Sequence, residues 1–232
     1  MIVIPARLAS SRLKDKILLP VGGVPLFVAT ARQVSGVDEV LVAVDEPMVL
    51  EIAKSYGLRA VLTSKQHQSG TDRIYEAVSA LGLGDDEIII NVQADEPFIE
   101  PDNVLKFYQF CRDGGAFMYS CFKLVGLSEA QNPNLVKVVT DDASRALYFS
   151  RSIIPYPRAE CASFKAHLGI YGYSVASLRE FCALSASMLE MTEKLEQLRA
   201  LQAGKDIKML EIKSSSIGID TSEDYERALA LV

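Results

Sequence analysis

The sequence predicts an α/β protein: a mostly parallel sheet flanked by helices, with a β-rich insertion in its second half. Three observations predict it. Short runs of branched aliphatics are continuous rather than alternating, as in strands buried on both faces. These runs alternate regularly with helical patterns as far as Phe122. From about residue 132 that alternation gives way to consecutive strand-like segments.

Each element follows in order. Residues 1–5 form an apolar strand, and a polar, basic loop runs from there to Lys16. The segment VGGVP turns the chain into a helix over residues 26–34. A parallel-type strand spans 40–44, a helix continues through 51–56, and another strand covers 59–62. The polar loop TSKQHQSGTDR opens a helix reaching to about Leu81, capped by Ser69 or Thr71. Residues 87–92 are a deeply apolar strand, followed by a helix over 102–111 and a strand over 116–122. Residues 134–158 read as a hairpin turning at Asp141 and Asp142, and 166–175 as a further strand. A single helix over 191–204, a strand over 207–212 and a terminal helix from Ser222 complete the chain. The whole of 1–232 reads as a single domain, with a β-rich lobe inserted over about 132–174 that could form a subunit interface.

Composition narrows the function. Nearly half of the 232 residues are apolar, enough for a sizeable core. The net charge of −6 argues against a nucleic-acid partner, while a local basic patch could still bind a small anion. Cys111, Cys121, Cys161 and Cys182 are scattered, without metal-ligand spacing or a disulfide framework. No apolar run is long enough to insert in a membrane, and no leader pattern precedes the first strand, so a cytoplasmic location is expected.

In open parallel sheets the ligand sits beyond the carboxyl ends of the strands. Three polar loops fall there. The first carries Arg7, Arg12, Lys14 and Lys16 against the lone acid Asp15, with Ala9, Ser10 and Ser11 able to form a backbone anion nest. It suits a phosphate, or is a solvated loop. The second places Arg73 in the first turn of a helix, where a cation is mildly unfavourable, which leans towards a ligand contact. The third, NVQADEP, offers Gln93, Asp95 and Glu96. Asp95 suits a hard cation beside a triphosphate, or is part of an acidic turn before Pro97. In GIDTSED, Thr221, Glu223 and Asp224 suit a helix start, which leaves Asp220 as a second carboxylate ligand. Leu195, Leu198 and Leu201 form a core stripe, with Glu196 and Gln197 off it, and His167 reads as a structural histidine. No P-loop, dinucleotide fingerprint or nucleophile elbow is present, and two histidines exclude a histidine-rich metal site.

Taken together, IPARLASSRLKDKIL, QSGTDRI, NVQADEPFI, NPNLVKVV, ALYFSRSIIPY, HLGIYGY, LEQLRAL and GIDTSEDYERA resemble, in order, the 3-deoxy-manno-octulosonate cytidylyltransferases over essentially the whole chain. The resemblance implies a nucleotide-diphospho-sugar transferase-like fold. It also implies transfer of CMP from CTP to 3-deoxy-D-manno-octulosonate (Kdo), giving CMP-Kdo and pyrophosphate for lipopolysaccharide biosynthesis. A cytoplasmic, Mg²⁺-dependent homodimer follows from it, with the lobe serving dimerisation and sugar binding. By position, Arg12 and Lys16 would hold the phosphates, and Ala6, Arg7, Ser69, Arg73 and Gln93 the nucleotide. Asp95 and Asp220 would hold Mg²⁺, with Arg12, Lys16 and Asp95 acting in catalysis and Glu96 supporting the turn. Arg151, His167, Tyr171, Glu196 and Gln197 would face Kdo. Ala94 stands where the family usually has Gly, and Lys14-Asp15-Lys16 replaces its Pro-Gly-Lys. Another acidic sugar, such as 8-amino-Kdo or a sialic-acid-like nonulosonate, or a non-catalytic nucleotide-binding subunit, are the alternative readings.

Overall fold

The structure is a computed structural model describing residues 1–10, 12–67, 69–159 and 163–231. In chain order its elements are β1 (Ile2–Ala6), a 3-10 turn (Lys16–Leu18), β2 (Pro20–Val21), β3 (Val24–Pro25), α1 (Leu26–Val34), β4 (Val40–Val44), α2 (Pro47–Ser55), β5 (Ala60–Leu62), α3 (Gly70–Ser79), β6 (Ile88–Asn91) and α4 (Pro101–Arg112). There follow β7 (Met118–Val125), α5 (Leu127–Ala130), β8 (Lys137–Thr140), β9 (Ala146–Ser150), β10 (Phe164–Ser174), α6 (Val175–Ala183), α7 (Met188–Glu193), α8 (Leu198–Gln202), β11 (Ile207–Glu211) and α9 (Ser222–Leu229). They group into two compact units, Met1–Lys106 with Ser214–Val232, and Phe107–Lys213.

In the first unit β6, β1, β4 and β5 pair in that order, all parallel. Every residue of β1 is buried, as its unbroken apolar run requires of a central parallel strand. Helices α1 and α3 pack on β1, and α2 on β4. Each helix start has a local cause. Pro47 occupies the first turn of α2, where its missing N–H costs nothing, and the helix begins four residues before the expected 51. The Ser69 side chain caps α3 by accepting from the Asp72 N–H. Thr221 and Asp224 cap α9 reciprocally. Between β2 and β3 both turn residues, Gly22 and Gly23, have positive φ (57° and 79°), the geometry that a two-residue hairpin turn demands.

In the second unit β7 pairs parallel with β11 and antiparallel with β10. β10 also pairs antiparallel with β8, and β8 with β9, so consecutive antiparallel strands occupy the stretch read as the β-rich insertion. The single helix expected over 191–204 is two. Ser187 and Glu190 start α7 earlier, at Met188. Lys194 then adopts a left-handed conformation (φ 54°) that ends it, and α8 begins at Leu198. Helix α6, which the sequence reading did not include, starts directly after β10 on a Ser174 cap.

Cys111 and Cys121 are buried thiols and Cys182 is partly buried, while Cys161 lies outside the described residues. So does Ser11, a member of the expected anion nest. Among the described residues no helix is long and apolar enough to cross a membrane.

Candidate active site

In the first unit the chemistry gathers where β1 and β6 end. β1 finishes at the buried Ala6, and the exposed Arg7 follows. The loop then passes through Asp15, held at φ 49°, into the 3-10 turn, which is closed by Leu18 N–H to Asp15 O (2.9 Å) and Leu19 N–H to Lys16 O (3.1 Å). That turn buries Lys16, which is only 9% exposed. Beyond β6, Gln93, Ala94 and Asp95 are held by Glu96 N–H to Gln93 O (3.2 Å) and by the Thr30 hydroxyl to Ala94 O (3.0 Å). Asp220 arrives from the far end of the chain. Ile219 is fully buried with Val21, Leu26 and Ala228, and its N–H donates to Asp95 O at 2.9 Å. Burial of one residue therefore delivers the next one to Asp95.

The result is a four-residue charge cluster. Lys16 Nζ donates to the carboxylates of both Asp95 and Asp220, the latter at 2.9 Å. Arg12 Nη2 donates to the same Asp220 Oδ1 at 3.0 Å. Burial disfavours the Lys16 ammonium, but the two carboxylates outweigh it and hold the group above its ordinary range. Beside the cluster lies a cavity of about 170 Å³ lined by Arg7, Ala9, Ser10, Gln93, Asp95 and Lys16 among others. Basic and acidic groups thus meet at an opening at the carboxyl ends of two parallel strands.

The neighbouring acids do other work. Glu96 Oε2 accepts from Ser216 Oγ (2.7 Å), and a Cβ at Gly218 would come within 2.8 Å of its Oε1. Burial, with Asp95 close by, pushes its carboxyl up to about 7. Glu96 therefore fastens the 216–218 segment that presents Asp220. Arg73 is 1% exposed; its guanidinium donates to Thr63 Oγ1 (2.6 Å) and faces Asp45 Oδ2 at 3.4 Å. Asp45 Oδ1 in turn accepts the Leu8 N–H (3.0 Å), tying the basic loop to the end of β4. The position that looked unfavourable for a cation is offset by this buried acid. Ser69 commits its hydroxyl to the α3 cap, and Gln93 Nε2 donates to Asn91 Oδ1 (3.1 Å).

The second unit gathers the remaining candidates. His167 and Tyr171 lie on β10 on either side of a register shift against β7, with ring centroids 5.5 Å apart. Ser120 serves that irregularity: its hydroxyl bonds His167 Nε2 (2.8 Å) and the carbonyls of Leu168 (3.2 Å) and Ile170 (2.8 Å). Loss of water around the imidazole depresses its pKa to about 3, and burial, aided by Glu196, raises the Tyr171 phenol. Tyr171 Oη donates to Gln197 Oε1 at 3.3 Å. Gln197 is 2% exposed, and its Nε2 has no hydrogen-bond partner. That corrects the expectation that Gln197 lies off the buried stripe. Lys194 ends α7, and Gln197 stands at the start of α8 with its side chain buried. Glu196 Oε1 lies 3.7 Å from Arg199 Nη2. Arg151 is engaged elsewhere, donating to the carbonyls of Glu193 (2.7 Å), Pro133 (3.3 Å) and Lys194 (3.4 Å).

Comparison with known proteins identifies the family. Residues 1–207 match the cytidylyltransferase family. Over 98% of its length the chain is 51% identical to the 3-deoxy-manno-octulosonate cytidylyltransferase of a Nitratiruptor species, covering 97% of that protein. It belongs to the 3-deoxy-manno-octulosonate cytidylyltransferase family. The Wolinella succinogenes member is 48% identical over the whole chain and 98% of its own length. A solved structure of CMP:2-keto-3-deoxy-manno-octonic acid synthetase complexed with CTP superposes with a TM-score of 0.91 at 42% identity, covering 99% of this chain and 96% of that one.

For this cytidylyltransferase the sequence reading passed over two residues. Asp45 had the same signal as Asp95, an acid just past an apolar strand. Ser120 had none, because its value comes from a strand irregularity. The two departures from the family pattern are also placed. Ala94 is 5% exposed, with its methyl accommodated and its carbonyl bound by Thr30. Asp15, where the resemblance implies Gly, holds a left-handed backbone, so its side chain is tolerated at some conformational cost.

Proposed function

We propose that this cytidylyltransferase transfers CMP from CTP to Kdo, giving CMP-Kdo and pyrophosphate. The observation that carries the reading is the convergence of Arg12 and Lys16 from one loop with Asp95 and Asp220 from two distant segments, beside the cavity. The anomeric hydroxyl of the sugar attacks the α-phosphorus in line, and the bond to pyrophosphate breaks. Negative charge then gathers on the α-phosphate and the leaving group. Lys16 and Arg12 would bind the phosphates and stabilise that charge. Ala6, Arg7, Ser69 and Gln93 would flank the nucleotide. Arg73, buried against Asp45, would act by positioning the basic loop.

Asp95 and Asp220 would hold Mg²⁺. Among the described residues no group of three or more potential protein ligands exists. Two carboxylates completed by phosphate oxygens and water are the donor set this ion takes in nucleotide sites, so the residues fit. When bound, the ion supplies Lewis-acid polarisation of phosphate oxygens.

For the sugar, the buried and unpartnered Gln197 Nε2 supports an oxygen-rich ligand, since an orphaned buried donor costs stability unless something accepts from it. His167, Tyr171 and Glu196 would complete that side, and Arg151, bonded to the carbonyls of Glu193 and Lys194, would act by holding the turn that precedes Glu196 and Gln197. The lobe over about 132–174 would also make the contact of a homodimer, which its exposed Leu147 and Tyr156 support. CMP-Kdo would feed lipopolysaccharide biosynthesis, and its nucleotide donor points to the cytoplasm.

The test is pyrophosphate release with CTP, Mg²⁺ and Kdo, with UTP as control. Release with CTP and Kdo but not UTP is the expected result. Faster release with 8-amino-Kdo or a nonulosonate would reassign the sugar. CTP binding without release for any acidic sugar would leave a nucleotide-binding subunit instead of an enzyme.

A further inference from the structure

We propose that Lys16 acts as a built-in counter-cation, occupying the Asp95–Asp220 carboxylate pair in the free protein and withholding it from divalent metal until a nucleotide's phosphates draw the ammonium away. The inference rests on reading those two carboxylates as metal ligands, and adds a second role for Lys16 besides phosphate binding.

The geometry carries it. One ammonium bonds both carboxylates at once, and the lysine bearing it is almost entirely buried. Arg12 adds a second positive group on Asp220. Two cations thus face two anions, and the pair presents little net negative field to an arriving metal. The ammonium also takes up acceptor oxygens that a metal would need. Among the described residues no third acid, histidine or cysteine joins the pair to raise its affinity. Lys16 lines the cavity along with Arg7 and Ser10, so a polyanion entering there offers the ammonium an alternative partner. A lysine suits such an exchange better than an arginine, being a point charge on a flexible stem with no preferred bidentate geometry. Metal and nucleotide binding are then coupled: phosphates remove the lysine and supply the missing oxygen ligands in the same event.

The test measures Mn²⁺ binding without nucleotide, read from the free-ion electron paramagnetic resonance signal. The wild-type protein should bind weakly, at roughly millimolar levels or above. Lys16→Met, with its fold verified by circular dichroism, should bind on the order of tenfold tighter or more, because a full positive charge bonded to both carboxylates has gone. Lys16→Arg should stay close to wild type, and Lys16→Met combined with Asp95→Asn should lose the gain. Tight binding by the wild-type protein alone would overturn the proposal, and this arm stands even if Lys16→Met fails to fold. So would a Lys16→Met protein no better than wild type, or a gain that survives Asp95→Asn. A parallel titration of the CTP complex separates the two claims. If Asp95→Asn weakens Mn²⁺ binding there while Lys16→Met gained nothing, the carboxylates remain ligands and the counter-cation role falls. If Asp95→Asn changes neither titration, the ligand reading falls and takes the proposal with it.

Discussion

Asp95→Asn removes one charge and keeps the shape, and the structure gives it two separable consequences. The first is on stability. The Lys16 and Asp95 side chains are 11% and 24% exposed, so the pair is largely buried. Breaking such a pair outright costs about 3–5 kcal/mol. Here Asp220 keeps its bond to Lys16, and the asparagine oxygen can still accept, so a loss of about 1–3 kcal/mol is expected. Its pH dependence has a definite sign. Lys16 is held above its ordinary value of 10.5, so the pair's contribution is fully present below that value and is lost only as pH rises through the higher, folded-state value. Urea denaturation should therefore show no change in the Lys16 share of the gap across neutral pH, while relief of Glu96, whose carboxyl Asp95 helps to push up to about 7, should narrow the gap as pH rises through that value. The second consequence is on turnover. If Asp95 holds the proposed ion, its loss should lower kcat at least ~10²-fold. CTP binding, measured by calorimetry, should weaken little or tighten, because a negative charge has left the phosphate site. A variant that keeps near-normal kcat with Mg²⁺ would refute the assignment of Asp95.

Four further outcomes follow from the same geometry. On the proposed sugar-side role of its unpartnered amide, Gln197→Ala should raise the KM for the sugar about tenfold while leaving that for CTP alone; an equal effect on both would point to general misfolding. Lys137 is fully buried and donates to the carbonyls of Asn132, Leu135 and Arg151 at 3.0, 2.7 and 2.7 Å; Lys137→Met should cost about 3 kcal/mol in urea, and a loss below about 1 kcal/mol would mean those carbonyls find other partners. His167 is held neutral, with its pKa lowered from 6.5 to about 3, so its share of stability is present above 6.5 and drains away as pH falls; His167→Gln should flatten the acid limb by about 1–2 kcal/mol at pH 5, and parallel curves for the two proteins would sink this account. Asp15→Gly should stabilise by about 0.5–1 kcal/mol by relieving the left-handed backbone, with a destabilised variant showing that the aspartate side chain makes a compensating contact.

The first unit's fold was legible because its strands are buried on both faces and its caps are local. Residues 40–44 are apolar throughout and form β4 with the expected bounds. Ser69 and Thr221 announce helix starts through side chains that act within three residues. The second unit was harder where local signals conflicted with tertiary ones. The leucine spacing over 191–204 suits one helix, yet Lys194 breaks it. Glu193 meanwhile binds Ser150 Oγ (2.6 Å) and the Arg151 N–H (3.0 Å), partners more than forty positions away. Nothing within the helical window encodes those partners.

The same limit separates two acids that look alike in the sequence. Asp45 and Asp95 each follow a strand of the same parallel sheet and sit at its carboxyl end, where ligands bind. Their roles differ because of what reaches them. Arg73 arrives from α3 and buries itself against Asp45, which then anchors Leu8 and has no charge left to offer a ligand. Lys16 arrives at Asp95 from a short turn beside an open cavity, and Asp220 comes with it because Ile219 needs burial. The position of an acid at a strand end marks where chemistry can happen, and on the exchange proposed above its cationic partner decides whether it does. An arginine fixed by Thr63 and Asp45 makes a permanent joint, whereas the proposed exchange rests on a lysine shared between two carboxylates at the rim of a cavity. A chain read one window at a time shows the acids but not which cation each will meet. That is why Asp95 and Asp220 could be singled out as candidates from the sequence, while the bond by which Lys16 joins them became visible only in three dimensions.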